Sequence, residues 1–234
     1  DLRGDRIAEI MTQLGGGLTF LTAIPFLHPT RTRYTLELLA TALRLANFVE
    51  MRFKHALACL RPNEFSPQVQ PMILTPSHGS LPSGHATEAF ITAFVLYRLL
   101  WSTGNPPYQQ ASWRVQLMRL ASRIAINRTV AGVHFPVDSA AGCFLGLLLG
   151  QYLWLRCDAP DGGANYDAFL FDGPLYPGQQ MDADFYWETI GDALFAGPAV
   201  NYIAYIQTPR VFRSGILSWL WDICLLYTSD AADE

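Results

Sequence analysis

The chain has 234 residues, 50% of them hydrophobic and 15% charged, with a net charge of −4 and a pI near 5.7. That composition excludes a disordered chain and can fill one sizeable core, and the lack of a basic excess excludes nucleic acid as a partner. Four cysteines, Cys59, Cys143, Cys157 and Cys224, have no paired short spacing, which excludes a zinc knuckle, a redox dithiol and a dense disulfide scaffold.

In chain order, residues 5–14 read as a short helix stopped by Gly15, Gly16 and Gly17, and residues 18–26 as an apolar segment closed by Pro25 and Pro29. This part carries no nameable chemistry. Residues 35–60 read as one long helix with Glu37, Thr41, Arg44 and Asn47 along a polar stripe, ended by Pro62. Lys54 and Arg61, seven apart, would lie two turns apart on one face of it. Alone, such a pair reads as a solvated basic face. Residues 63–80 form a proline- and serine-containing loop, long enough to be functional or mobile.

Next comes Leu81, Pro82, Ser83, Gly84, His85, Ala86, Thr87, Glu88. Pro82 disfavours helix before it, Ser83 is a good N-cap, and Gly84 lets a ligand approach the amides at the positive end of the apolar helix 86–101. His85 would sit beside an oxyanion bound there. By itself the octapeptide reads equally as a capped helix with a surface histidine.

Residues 102–107 read as a loop, 112–125 as a helix, and 129–136 as irregular because of Gly132 and Pro136. Asp138 then opens an apolar helix to about residue 156, as cap or first-turn acid. His134 stands four residues before that carboxylate, which can fix its tautomer and orientation, and Arg128 offers a planar fork for an oxyanion. The apolar stretches 86–101 and 139–155 are near the lower length limit of a membrane span and the mean hydropathy is only +0.16. They read as buried core helices. Residues 158–180 read as a surface excursion and 182–195 as a further helix.

The chain begins at Asp1 and shows no signal peptide, so a removed or unrecorded N-terminus is expected. Residues 224–234 look like a translated sequencing adapter. The expectation is one helical domain over 1–223, with core motifs in 54–155 and a truncated extension over 157–223.

Three segments, taken together, carry a resemblance: Lys54, six residues, Arg61, Pro62; then Pro82, Ser83, Gly84, His85; then Arg128, five residues, His134, three residues, Asp138. The set resembles the signature shared by type 2 phosphatidic acid phosphatases, bacterial acid phosphatases and vanadium-dependent haloperoxidases. Asn127 departs from it, standing where the family usually has serine. The resemblance implies an all-α helical bundle with its active site at helix ends in the bundle core. It implies that Lys54, Arg61 and Arg128 neutralise a phosphate or vanadate, with the Ser83 hydroxyl and Gly84 amide donating to its oxygens. His134 would attack phosphorus or bind vanadium, Asp138 would orient His134, and His85 would protonate the leaving oxygen.

Two enzyme classes stay open. A phosphatase acting on lipid or soluble phosphate monoesters through a phosphohistidine would need no cofactor, and Pro136 two after His134 resembles that branch. A haloperoxidase oxidising halide with hydrogen peroxide would need vanadate, and His78, five before Ser83, stands where bromide-oxidising members place a second histidine. A non-catalytic phosphate-binding protein would have no use for His85, His134 and Asp138 together. His28 and His55 match no motif, and Glu64 is a guess at an arginine brace. The expected partner is a small phosphate ester, or halide plus peroxide, with a homo-oligomer left open. The expected setting is a soluble cytoplasmic or periplasmic protein that spans no membrane.

Overall fold

The computed structural model describes residues 2–15, 17–158, 164–176, 185–195, 202–207 and 210–211. The fold is a helical bundle with two small antiparallel ribbons. Its helices are α1 (Arg3–Thr12), α2 (Leu18–Ala23), α3 (Arg33–Leu57), α4 (Pro62–Phe65), α5 (Gly84–Ser102), α6 (Ala111–Val130), α7 (Pro136–Asp158) and α8 (Trp187–Phe195). The strands β1 (Ala164–Asn165) and β4 (Arg210–Val211) pair, as do β2 (Ala168–Phe171) and β3 (Ile203–Gln207).

Helix α5 is the centre of the bundle, packed by α3, α6 and α7. It is apolar almost all round, with Phe90, Ile91, Val95, Leu96 and Leu99 buried, the signature of a helix enclosed by others rather than lying on a surface. α7 approaches it through Gly142, Gly146 and Gly150, spaced four apart along one face. A Cβ at Gly142 would lie 2.6 Å from Ala86 Cβ, and one at Gly146 would lie 2.6 Å from the Thr87 carbonyl oxygen. Side chains there would push the two helices apart.

Several expected boundaries move. α3 ends at Leu57, where Ala58 adopts a left-handed conformation with φ 46° and its amide closes on the Lys54 carbonyl at 3.0 Å. Arg61 therefore does not share a helical face with Lys54. Pro62 starts α4, in keeping with the preference of proline for a first turn, so it opens a helix rather than ending one. α6 runs on to Val130, placing Asn127 and Arg128 in its last turn. α8 begins at Trp187, so residues 185–186 of the expected helix are not helical; residues 182–184 lie outside the described residues, as do Cys224 and the whole of 224–234. Cys59 and Cys143 are free thiols.

Among the described residues one helix, α7, is long and apolar enough to cross a membrane: 23 residues with a window of mean hydropathy 1.3, 67% of it buried in the bundle. The stretch 139–155, expected as a buried core helix near the lower length limit of a span, belongs to this longer helix, which is long enough to cross. A soluble cytoplasmic or periplasmic setting does not follow from the sequence.

Candidate active site

Six of the expected site residues, Lys54, Arg61, His78, Gly84, His85 and His134, line a cavity of about 390 Å³, whereas Ser83, Arg128 and Asp138 stand behind its wall. Asn47, Glu50, Glu88, Leu14 and Gly15 complete much of the lining. Lys54, Arg61 and Arg128 are 1–2% exposed and are among the largest fully buried side chains. Burying three cations in one region is costly without fixed dipoles or counter-charges around them, and the local chain supplies both.

Residues 78–83 are laid across the C-terminal end of α3. The Ser80 amide donates to the Cys59 carbonyl (2.9 Å) and its hydroxyl to the Leu60 carbonyl (3.0 Å). The Lys54 ammonium donates to the carbonyls of Gly79 (3.4 Å), Ser80 (3.2 Å) and Pro82. Its three protons are thus engaged by the segment that leads into Ser83. Burial pushes its pKa down, against the opposing pull of Glu50.

Arg61 joins two motifs. Its Nε donates to the His78 carbonyl (3.1 Å), Nη1 to the Val133 carbonyl (2.9 Å) and Nη2 to the Gly79 carbonyl (3.3 Å), with His134 Nε2 at 3.5 Å from Nη1. Glu64 braces the Arg61 backbone, accepting its amide at 2.6 Å. His78 Nδ1 lies 3.3 Å from Arg61 Nη2 and 3.1 Å from the Gly79 carbonyl, so this imidazole is part of the arginine's surround.

Ser83 caps α5, its hydroxyl accepting the Ala86 amide at 3.4 Å while its own proton stays free to donate. The Thr87 amide is taken by the Ser83 carbonyl (3.0 Å). The first-turn amides of Gly84 and His85 then have no intrahelical acceptor, the donor pattern that suits an anion at a helix N-terminus. His134 Nδ1 lies 3.0 Å from Asp138 Oδ2, which also accepts the Phe135 amide at 2.9 Å. A carboxylate can only accept, so Nδ1 carries the proton and Nε2 keeps its lone pair on the side of Arg61 and the cavity. Burial holds the His134 pKa down at about 4 despite the raising effect of Asp138.

His85 Nε2 lies 3.0 Å from the Gln13 carbonyl, and burial with the nearby Arg128 charge lowers its pKa to about 4. Gln13 also joins Arg128: its side-chain oxygen accepts Arg128 Nη2 (2.9 Å) and Asn127 Nδ2 (3.1 Å). Arg128 Nη2 also reaches the Ile10 carbonyl (3.4 Å), while Nε and Nη1 are buried without partners. Asn127 accepts from Arg6 (3.0 Å) and donates to Glu9 (2.9 Å), so the residue that departs from the family pattern docks α1 onto α6.

The sequence reading missed Gln13, Glu50 and Glu88. For Gln13 no signal existed, because the contact spans more than a hundred residues. For Glu50 one did: Asn47, Glu50 and Lys54 continue the polar stripe of α3 by three and four. His28 hydrogen-bonds residues of its own turn, and His55 is exposed outside the cavity.

Residues 35–158 match the PAP2 superfamily. The chain is 31% identical over 119 residues to a decaprenylphosphoryl-5-phosphoribose phosphatase of Mycobacterium tuberculosis, found in strains CDC 1551 / Oshkosh and H37Rv. That match covers 51% of this chain and 57% of the relative, so it spans little more than half the relative's length. A solved transmembrane PAP2-type phosphatidylglycerolphosphate phosphatase from Bacillus subtilis is similar at 21% identity with a TM-score of 0.44, covering 57% of this chain and 71% of that one. Because α7 is long and apolar enough to span, the expected soluble setting is withdrawn.

Proposed function

Because the chain belongs to the PAP2 superfamily, we propose that it is a phosphatase that hydrolyses phosphate monoesters by transferring the phosphoryl group to His134 and then to water. The observation that carries this reading is the pair His134 Nδ1 and Asp138 Oδ2 at 3.0 Å, which leaves the Nε2 lone pair beside Arg61. The phosphate sits against the Gly84 amide and the Ser83 hydroxyl, in the field of Lys54, Arg61 and Arg128. These groups stabilise charge spread over its equatorial oxygens, which is the main demand of phosphoryl transfer.

In the first step His134 Nε2 forms a bond to phosphorus as the bond to the leaving oxygen breaks, and His85 gives that oxygen a proton. In the second, water attacks the phosphohistidine, His85 takes its proton, and orthophosphate leaves. Since the Gln13 carbonyl can only accept, His85 Nε2 holds a proton throughout and Nδ1 is the nitrogen that exchanges one with substrate. A bound phosphate dianion raises the His85 pKa from the low value burial imposes, charging the acid when substrate is present.

The mycobacterial relative is named as a decaprenylphosphoryl-5-phosphoribose phosphatase, which supports a lipid phosphate monoester as substrate. Vanadate, sharing phosphate's shape and charge, fits the same donors with His134 Nε2 as its ligand. The haloperoxidase alternative rested on His78, whose ring is turned onto Arg61 and Gly79; no observation favours it.

The test is hydrolysis of p-nitrophenyl phosphate and of a lipid phosphate monoester in mixed micelles, with quenched samples examined for an alkali-stable, acid-labile phosphoenzyme. Hydrolysis by the wild type, lost with that phosphoenzyme in His134→Gln, is the expected result. Undiminished hydrolysis by His134→Gln overturns the mechanism.

A further inference from the structure

The cavity contains a carboxyl that the reaction just described does not use. Glu50 lies on α3, one turn before Lys54, and is only 4% exposed. Its Oε2 has no hydrogen-bond partner, and Oε1 packs so closely on Gly84 that a Cβ there would stand 2.6 Å away. An unpartnered acid is thus pressed against the helix tip where the phosphate is read to bind.

We propose that Glu50 is a further substrate-binding residue, which donates a hydrogen bond to the phosphate as a neutral carboxylic acid. The proposal rests on the phosphatase reading for the position of the phosphate.

The charge inventory supports it. The cations of the region are Lys54, Arg61 and Arg128, and its carboxyls are Glu50, Glu88 and Asp138, with Glu64 beside Arg61 and Glu9 beside Arg128. Were every one ionised, the carboxylates would outnumber the cations and one of them would stand beside the phosphate. One proton on Glu50 removes the repulsion and provides a donor where an orphaned oxygen now lies. Facing Glu50 are Glu88 and His85 from α5, His134 before α7, Arg61 and His78 from the connecting segments, and Lys54 on its own helix. Burial, reinforced by the Glu88 charge and opposed by Lys54, raises the Glu50 pKa. Gly84 is required for the same approach: any side chain at this position would displace the Glu50 carboxyl.

The test is orthophosphate binding to the whole chain by calorimetry at pH 6.5 and pH 9, for the wild type, Glu50→Gln and Glu50→Ala, each checked for native helix content. Glutamine keeps a donor of the same shape, so Glu50→Gln is expected to bind like the wild type at pH 6.5 and more tightly than it at pH 9. Glu50→Ala loses the donor and is expected to bind about tenfold more weakly at pH 6.5. If Glu50 is instead ionised, both variants bind more tightly than the wild type at pH 6.5, and the proposal is overturned. Should Glu50→Ala not fold, the Glu50→Gln comparison at the two pH values decides alone. A chain that binds orthophosphate in this Glu50-dependent way yet hydrolyses no ester sinks the phosphatase reading and leaves the acid–phosphate contact standing. One that hydrolyses esters with Glu50 ionised does the reverse.

Discussion

The backbone amide of Ser83 donates to the carbonyl oxygen of Asp138 at 2.9 Å. This single bond pins the residue that caps α5 to the residue that orients His134, although they are fifty-five positions apart in the chain. It forms because α7 lies directly against α5, and it does so through glycines: a Cβ at Gly142 would come within 2.7 Å of the Ser83 carbonyl oxygen.

Gly142→Val is therefore expected to damage fold and site together. Overfilling a packed helix contact costs about 1–3 kcal/mol, read as a lower urea midpoint, and the displaced Ser83 should remove most phosphatase activity even below that midpoint. A variant as stable and as active as the wild type would refute the coupling.

Asp138→Ala tests the orientation of His134. It removes the oxygen that accepts both the His134 Nδ1 proton and the Phe135 amide, so the ring loses its fixed tautomer and the carboxylate that stabilises its charged form. A fall in kcat on the order of 10³–10⁴ is expected, by analogy with the loss of the acid in a serine-protease triad, with orthophosphate binding changed far less. A loss confined to KM would contradict the assignment.

Gln13→Ala removes the oxygen that Arg128 and Asn127 share, while the backbone carbonyl that receives His85 remains. Hydrogen bonds to charged groups contribute about 1.5–3 kcal/mol, so orthophosphate affinity should drop about tenfold. The position of the acid limb in the pH profile, set by His85, should stay put.

Stability should depend on pH through the histidines. Burial pushes His85 and His134 down to about 4 from an ordinary 6.5. Between those values the unfolded chain binds more protons than the folded one, so both groups make stability fall as pH drops from 6.5 toward 4. Glu50, raised above its ordinary 4.5, acts oppositely, since its folded form holds the extra proton and loses stability as pH rises. Comparing the wild type with His85→Gln cancels the Glu50 contribution to first order. Urea unfolding should show the balance moving in favour of the variant as pH falls through that window, whereas a pH-independent difference would contradict it.

Much of this site was legible because its chemistry sits at local breaks in the chain. Proline before Ser83, glycine after it, and a carboxylate one helical turn beyond His134 are short-range patterns with short-range consequences. Lys54 and Arg61 line one cavity, but not as neighbours on a helical face: a left-handed Ala58 ends α3 before Arg61, and the returning segment 78–80 holds both side chains. Nothing local announces an αL alanine. The contributions of α1 were hidden because they depend on tertiary docking alone, with Arg6 and Glu9 gripping Asn127. Likewise the glycines of α7 are explained only by the close approach of α5.

The reach of α1 has a practical corollary. Family similarity starts at residue 35, yet Leu14 and Gly15 line the cavity and Gln13 bonds His85 and Arg128. A protein trimmed to the region of similarity would keep every motif residue and still leak: water would reach the His85 ring and the Arg128 fork, and the electrostatics that depend on dryness would be diluted. The boundary of kinship and the boundary of the working chamber do not coincide.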